Sequence, residues 1–321
     1  NDKKINLVSF GEIGSENSYN YNWVEDKEKI AVIYAVGGIN VGKSKRQGSV
    51  SEVMGNETIS KAIKTARKDK DVKAIVLRID SGGGSALASD LMWKEIWNTT
   101  VADTKNVKPF IASMSDVAAS GGYYIACQAD TIVADSSTIT GSIGVISGRI
   151  NLSGLWEKFY TNTDRIKFGE RSDIWSGSRL WTEEERLWVR QGIVDIYGTF
   201  LSRVSGGRET LDSLDVHEVG IGKVWSGVEA KELGLVDVLG DLNFSIEIAK
   251  EAAGIDSEED IIIDEYPKKE PFSFSKIFGG KEIKVIKLDG PLKEMSNTLN
   301  ALPNFENDRM QMILPVEIII K

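Results

Sequence analysis

Two apolar runs that each end in a cluster of glycines set the tightest limit on how this chain folds. Ile75–Ile79 leads into Asp80-Ser81-Gly82-Gly83-Gly84-Ser85, and Phe110–Met114 leads into Ala118-Ala119-Ser120-Gly121-Gly122-Tyr123-Tyr124. Short β-branched runs bounded by turn residues read as buried strands. A strand that closes on glycines just before a helix is where α/β folds place ligands. Strands are predicted near Ile30–Val36, Ala74–Asp80, Pro109–Met114, Thr131–Ala134 and Ile143–Ile146. Helices are predicted at Val50–Arg67, Ser85–Asn98, Ser120–Gln128, Thr182–Val204, Gly227–Leu233 and Leu242–Ala253. The fourth opens on Thr182-Glu183-Glu184-Glu185, a capping box. The pattern is that of an α/β protein.

With 321 residues and 41% hydrophobic content, the chain can bury one large core or two modest ones, at about 100–200 residues per domain. A formal net charge of −9 and the absence of any basic stripe exclude nucleic acid as a partner, because phosphate binding needs clustered Lys and Arg. The single cysteine, Cys127, has no partner for an intrachain disulfide and suits a small buried position. No apolar run reaches the about 20 residues that span a bilayer, so the chain itself reads as soluble. The polar stretch Asn1–Lys29 reads as a linker, residues 1–28, that follows a missing N-terminal part. After Gly254 the pattern loosens into acidic and Pro/Lys segments, with short strands expected at Ile261–Ile263, Val285–Leu288 and Leu314–Ile320. This divides the chain into a domain over 29–254 and a C-terminal extension over 255–321. Nothing in the sequence calls for a cofactor or a metal.

Gly37-Gly38-Ile39-Asn40-Val41-Gly42-Lys43-Ser44 matches a phosphate-binding loop and follows a predicted strand. Such a loop must run straight into a helix whose N-terminal amides meet the phosphates. Here Lys45-Arg46-Gln47-Gly48-Ser49 follows, and Gly48 breaks a helix. A nucleotide-binding protein would show ATP or GTP affinity that disappears in Lys43→Ala.

Amides aimed at one point from the two glycine turns can hold the oxyanion of a tetrahedral intermediate, and Ser120 stands where a helix begins. Two roles are open to it, nucleophile and ordinary helix N-cap. The one histidine, His217, lies in the polar stretch Asp215-Val216-His217-Glu218, with nothing to link it to Ser120. Lysine is the remaining base, because burial lowers a lysine pKa toward neutrality.

Ala74–Ser85 (AIVLRIDSGGGS), Val117–Tyr124 (VAASGGYY), Thr140–Val145 (TGSIGV) and Val224–Gly240 (VWSGVEAKELGLVDVLG) together resemble the signal peptide peptidase A, or protease IV, family. The likeness runs from about Lys29 to Ala253. It implies a crotonase-like α/β fold related to the proteolytic subunit of Clp, with Ser120 as nucleophile and Gly83, Gly84 and Gly121 around the oxyanion. The family's SPGG turn reads Ser81-Gly82-Gly83-Gly84, so Gly82 replaces its proline. The position of the family's general-base lysine, in Gly169-Glu170-Arg171-Ser172, holds Ser172. A hydroxyl is a poor base, the guanidinium of Arg171 stays protonated, and Lys167 precedes the glycine and reads as a strand or surface residue. The resemblance is therefore to the C-terminal copy of the family's long tandem form, whose N-terminal copy supplies the lysine. It implies a Ser-Lys endopeptidase acting on apolar signal peptides. It also implies homo-oligomeric assembly and attachment to the extracytoplasmic side of a bacterial inner membrane through the absent part. The alternative within the same fold is a non-catalytic scaffold copy.

Overall fold

A computed structural model describes residues 27–47, 51–268 and 310–313. The expected linker, except its last two residues, and the expected strands at Val285–Leu288 and Leu314–Ile320 lie outside the described residues. Fourteen strands are described: β1 (Lys29–Val36), β2 (Gly38–Asn40), β3 (Lys45–Gln47), β4 (Ser51–Gly55), β5 (Val72–Ser81), β6 (Gly83–Ser85), β7 (Phe110–Ala119), β8 (Thr131–Ala134), β9 (Ile139–Gly141), β10 (Ile146–Ser147), β11 (Val224–Ser226), β12 (Val238–Leu239), β13 (Ile262–Tyr266) and β14 (Met310–Ile313). The described helices are α1 (Asn56–Lys68), α2 (Ala86–Trp97), α3 (Gly121–Ala126), α4 (Ser153–Lys158), α5 (Glu183–Gly207), α6 (Ser213–Val219), α7 (Gly227–Glu232) and α8 (Leu242–Ala252). None of them is long and apolar enough to cross a membrane.

The larger sheet runs β11-β9-β7-β5-β1-β13, with β8 and β12 branching from β7. Its pairs are parallel except β11 with β9. Parallel sheets bury both faces, and the residues alternate accordingly. Ala31, Ile33, Ile75, Leu77 and Ile79 pack on one face, beneath α1, α2 and α3. Ile30, Val32, Ala74 and Val76 pack on the other, with Ile246 and Ala249 of α8. A fully buried Ile or Leu in such a position contributes about 1.5–3 kcal/mol by leaving water.

The smaller sheet, β10-β14-β6-β2-β4-β3, lies at the ends of β1 and β5. Its strands are short, and most went unforeseen. The helix expected from Val50 begins only at Asn56. Gly55 passes directly over the backbone of Gly42–Ser44, where a Cβ would collide, so the preceding residues stay extended as β4. Ile143–Ile146 is not a strand: β9 ends at Gly141, where positive φ at Gly141 and Ser142 turns the chain away. The boundary drawn after Gly254 does not divide the fold, because Ile255 packs under the large sheet and Ile262–Tyr266 pairs in parallel with β1.

The loop that resembles a phosphate-binding motif leads into β3, a strand. Its amides are already engaged: Gly42 N–H donates to Asn56 Oδ1 at 2.9 Å and Ser44 N–H to Thr58 Oγ1 at 2.9 Å. Ser44 Oγ in turn accepts from Gly55 N–H at 3.0 Å. The segment staples β2 to the start of α1 and presents no cradle for phosphate, so Lys43→Ala is expected to leave the melting temperature within about 0.5 kcal/mol of stability and to change no nucleotide-binding signal.

Candidate active site

The two glycine turns meet at the ends of β5 and β7. These strands are in register from Ile75 opposite Phe110 to Ser81 opposite Ala118, with one irregularity between Ile79 and Ser81. The Asp80 carboxylate accepts from Val117 N–H across the same junction, while burial pushes its pKa up. In the first turn, Ser81 Oγ donates to the Gly37 carbonyl at 2.7 Å and accepts from Gly83 N–H at 3.1 Å. Ser85 Oγ then caps α2 by accepting from Ala88 N–H at 3.1 Å.

Ser120 joins β7 to α3 with φ 53° and ψ −114°. That backbone is strained for a residue carrying a Cβ and costs on the order of 1–3 kcal/mol. It is held by Ser120 N–H donating to the Gly141 carbonyl at 2.8 Å and by the Ser120 carbonyl accepting from Tyr124 N–H at 2.8 Å. The side chain makes no capping bond, which removes the N-cap role. Ser120 is fully buried, and its Oγ has no hydrogen-bond partner among the described residues. A buried hydroxyl left without a partner costs about 1–3 kcal/mol, and this one sits on strained backbone.

Gly83, Gly84 and Gly121 are all brought to this junction. Gly83 and Gly84 have φ of 98° and 154°. A Cβ on Gly83 would lie 2.6 Å from Gly121 N, and one on Gly121 would lie 3.1 Å from Gly83 Cα. Gly121 opens α3, so its amide has no partner within the helix. The Gly83 amide, by contrast, is held by Ser81 Oγ, a bond that spacing alone does not reveal. Beneath the helix, Tyr123 OH donates to the Leu235 carbonyl at 2.9 Å and Tyr124 OH to Asp90 Oδ1 at 2.7 Å. Burial raises both phenol pKa values and pushes the Cys127 thiol up to about 12.

The residues considered as bases lie elsewhere. His217 is on α6, with Nδ1 3.1 Å from Tyr197 OH. Ser172 is exposed, its hydroxyl donating to the Gly169 carbonyl at 3.1 Å. Lys167 is exposed and pairs with Asp173 at 3.3 Å, and the Arg171 guanidinium lies over the Trp188 ring. Arg179 organises this region by gripping Asp173 and Glu185 together. Its hydrogen bonds hold Glu185 down at about 2 and Asp173 below the usual carboxylate range. Carboxylates lowered in this way contribute stability above the unfolded carboxylate pKa, and that stability is lost as pH falls through the lowered value. The melting-temperature gap between the wild type and Arg179→Met is therefore expected to be widest at neutral pH and to close as pH falls toward 2.

Residues 102–256, which include Ser120, match the model of peptidase family S49. A putative protease of Synechocystis is 37% identical over 233 residues, 73% of this chain and 77% of that protein. The chain belongs to peptidase family S49. Other S49 relatives include the chloroplastic serine protease SPPA of Arabidopsis thaliana, 36% identical over 93% of this chain and 43% of that protein. Protease 4 of Haemophilus influenzae is 30% identical over 97% of this chain and 51% of that protein. The chain thus spans about half the length of these two relatives. Similar solved structures include a ClpP1 mutant from Listeria monocytogenes, with TM-score 0.43 and 13% identity over 67% of this chain and 94% of that one. A mutant of a membrane-bound stomatin-specific protease has TM-score 0.47 and 15% identity over 76% of this chain and 99% of that one.

Proposed function

We propose that the chain is the serine-bearing half of an endopeptidase that cuts apolar peptides, including signal peptides left in a membrane after secretory processing. The observation that carries this reading is Ser120: buried, strained, and unpartnered at Oγ where two glycine turns converge. Its hydroxyl attacks the peptide carbonyl, and the oxyanion is received by the amides of Gly121 and the glycine turn, with Gly84 its donor and Gly83 fixing the turn through Ser81. A lysine outside the described residues takes the hydroxyl proton and returns it to the leaving amine, the division of labour of a Ser-Lys dyad. The chain and its missing half, or another subunit, must then assemble. Exposed apolar side chains between α4 and α5, among them Trp156, Phe159, Ile166, Phe168 and Leu180, support such association. Attachment to the extracytoplasmic face of a bacterial inner membrane belongs to the missing part.

The absence of any base in contact with Ser120 among the described residues favours one second reading, a scaffold copy that shapes the oligomer without cutting. Hydrolysis of an apolar signal-peptide-like substrate separates the two. Activity in the longer protein, little in this chain alone, supports the peptidase. Activity in the longer protein that survives replacement of Ser120 identifies the scaffold.

A further inference from the structure

β14 stands apart from every other strand of the small sheet. It comes from the far end of the chain, beyond residues 269–309, yet it lies between β6 and β10 and ladders antiparallel with both. Gln311 faces Ile146 on one side and Ser85 on the other, Met312 faces Gly84, and Ile313 faces Gly83. Without β14, β6 and β10 would be two unpaired edges separated by the width of one strand, and such edges take up extended peptide by adding a strand. The Met312 carbonyl oxygen lies against Gly83 and 3.0 Å from where a Cβ on Gly121 would be. The Met312 side chain is buried in the main core cluster.

We propose that Met310–Ile313 is a resident stand-in for substrate. It fills the groove that receives an extended peptide, Met312 occupies the place of the residue whose carbonyl Ser120 attacks, and the strand must leave before a peptide can enter. The inference rests on the reading of Ser120 as nucleophile and names what the site accepts: an extended chain with an unbranched apolar side chain, such as methionine, before the cut. Methionine's flexible thioether suits an irregular apolar pocket. The carbonyl of Met312 rather than its side chain marks the reacting position, because the carbonyl is what faces the two glycines.

The test reads access to position 120 without needing catalysis. Ser120→Cys is made in the chain, and alkylation by iodoacetamide is timed. The native thiol, Cys127, is fully buried with its pKa pushed up, so it stays silent. Met312→Asp drives a charge into an apolar pocket, and Gln311→Pro removes a ladder amide. Added separately to Ser120→Cys, each is expected to speed alkylation about tenfold or more, because the cost of local opening falls. Excess synthetic peptide copying residues 308–316 is expected to restore protection. Melting curves show that the fold survives, and peptide protection does so independently, since only a folded groove can be refilled. Unchanged alkylation rates in both folded variants, or faster rates that the peptide does not slow, would overturn the proposal and make β14 a fixed wall. If the rates rise as expected while the longer protein hydrolyses nothing, the groove assignment stands and the peptidase reading fails. If hydrolysis occurs while the rates ignore β14, the reverse holds.

Discussion

Replacing Ser120 with alanine in the longer protein is expected to lower kcat for an apolar peptide by about 10^4-fold or more, the scale seen when a serine nucleophile is removed from a working site. KM should move little, because the hydroxyl makes no contact that binding requires. Stability should hold or rise: the alanine variant loses a buried hydroxyl that has no partner among the described residues, and that group costs about 1–3 kcal/mol in the native state. The strained φ of 53° persists with alanine, so this gain is partial. A large kcat loss with an unchanged or higher melting temperature marks a chemical role. A melting temperature that falls together with activity would point to a structural serine, tested by measuring both on the same preparation.

The second large effect is expected at Gly83. Alanine there must adopt φ 98° and set its methyl 2.6 Å from Gly121 N and closer still to the Met312 carbonyl. The backbone conformation costs about 1–3 kcal/mol and the overpacking about as much again. These costs fall on the two turns that flank Ser120, so kcat should drop about 10^2-fold or more, the cost of losing an oxyanion donor. Gly198 provides the contrast. It lies inside α5, and a Cβ there meets nothing within 4 Å. Gly198→Ala should stabilise the chain by about 0.5–1 kcal/mol and leave kcat unchanged. Paired measurements of kcat and melting temperature on the two variants check both expectations.

Long buried strands were legible because their composition is dictated by burial on both faces. The β-branched runs at Ile30–Val36 and Ala74–Asp80 correspond to β1 and β5 within a few residues, and the Thr182 capping box forms as its residue types require. The small sheet was not legible. Its strands are short, β6 consists of two glycines and a serine, and their partners lie far away in sequence, so no local periodicity announces them. At the site, the glycine clusters marked where Ser120 would stand. They did not reveal that its hydroxyl forgoes the capping bond, that Ser81 holds the Gly83 amide, or that Gly141 anchors Ser120 N–H. These depend on tertiary contacts between segments that share no sequence neighbourhood. Met312 carried no signal at all, since one methionine in a polar tail looks like any other.

Covalent capture tests the central claim most directly. The longer protein is treated with a serine-directed fluorophosphonate, and the adduct is located by mass spectrometry of its peptides. The account predicts a single phosphonylated site at Ser120, lost in Ser120→Ala together with hydrolysis. An adduct on a different serine, or continued hydrolysis in the protein whose Ser120 carries no adduct, would contradict it.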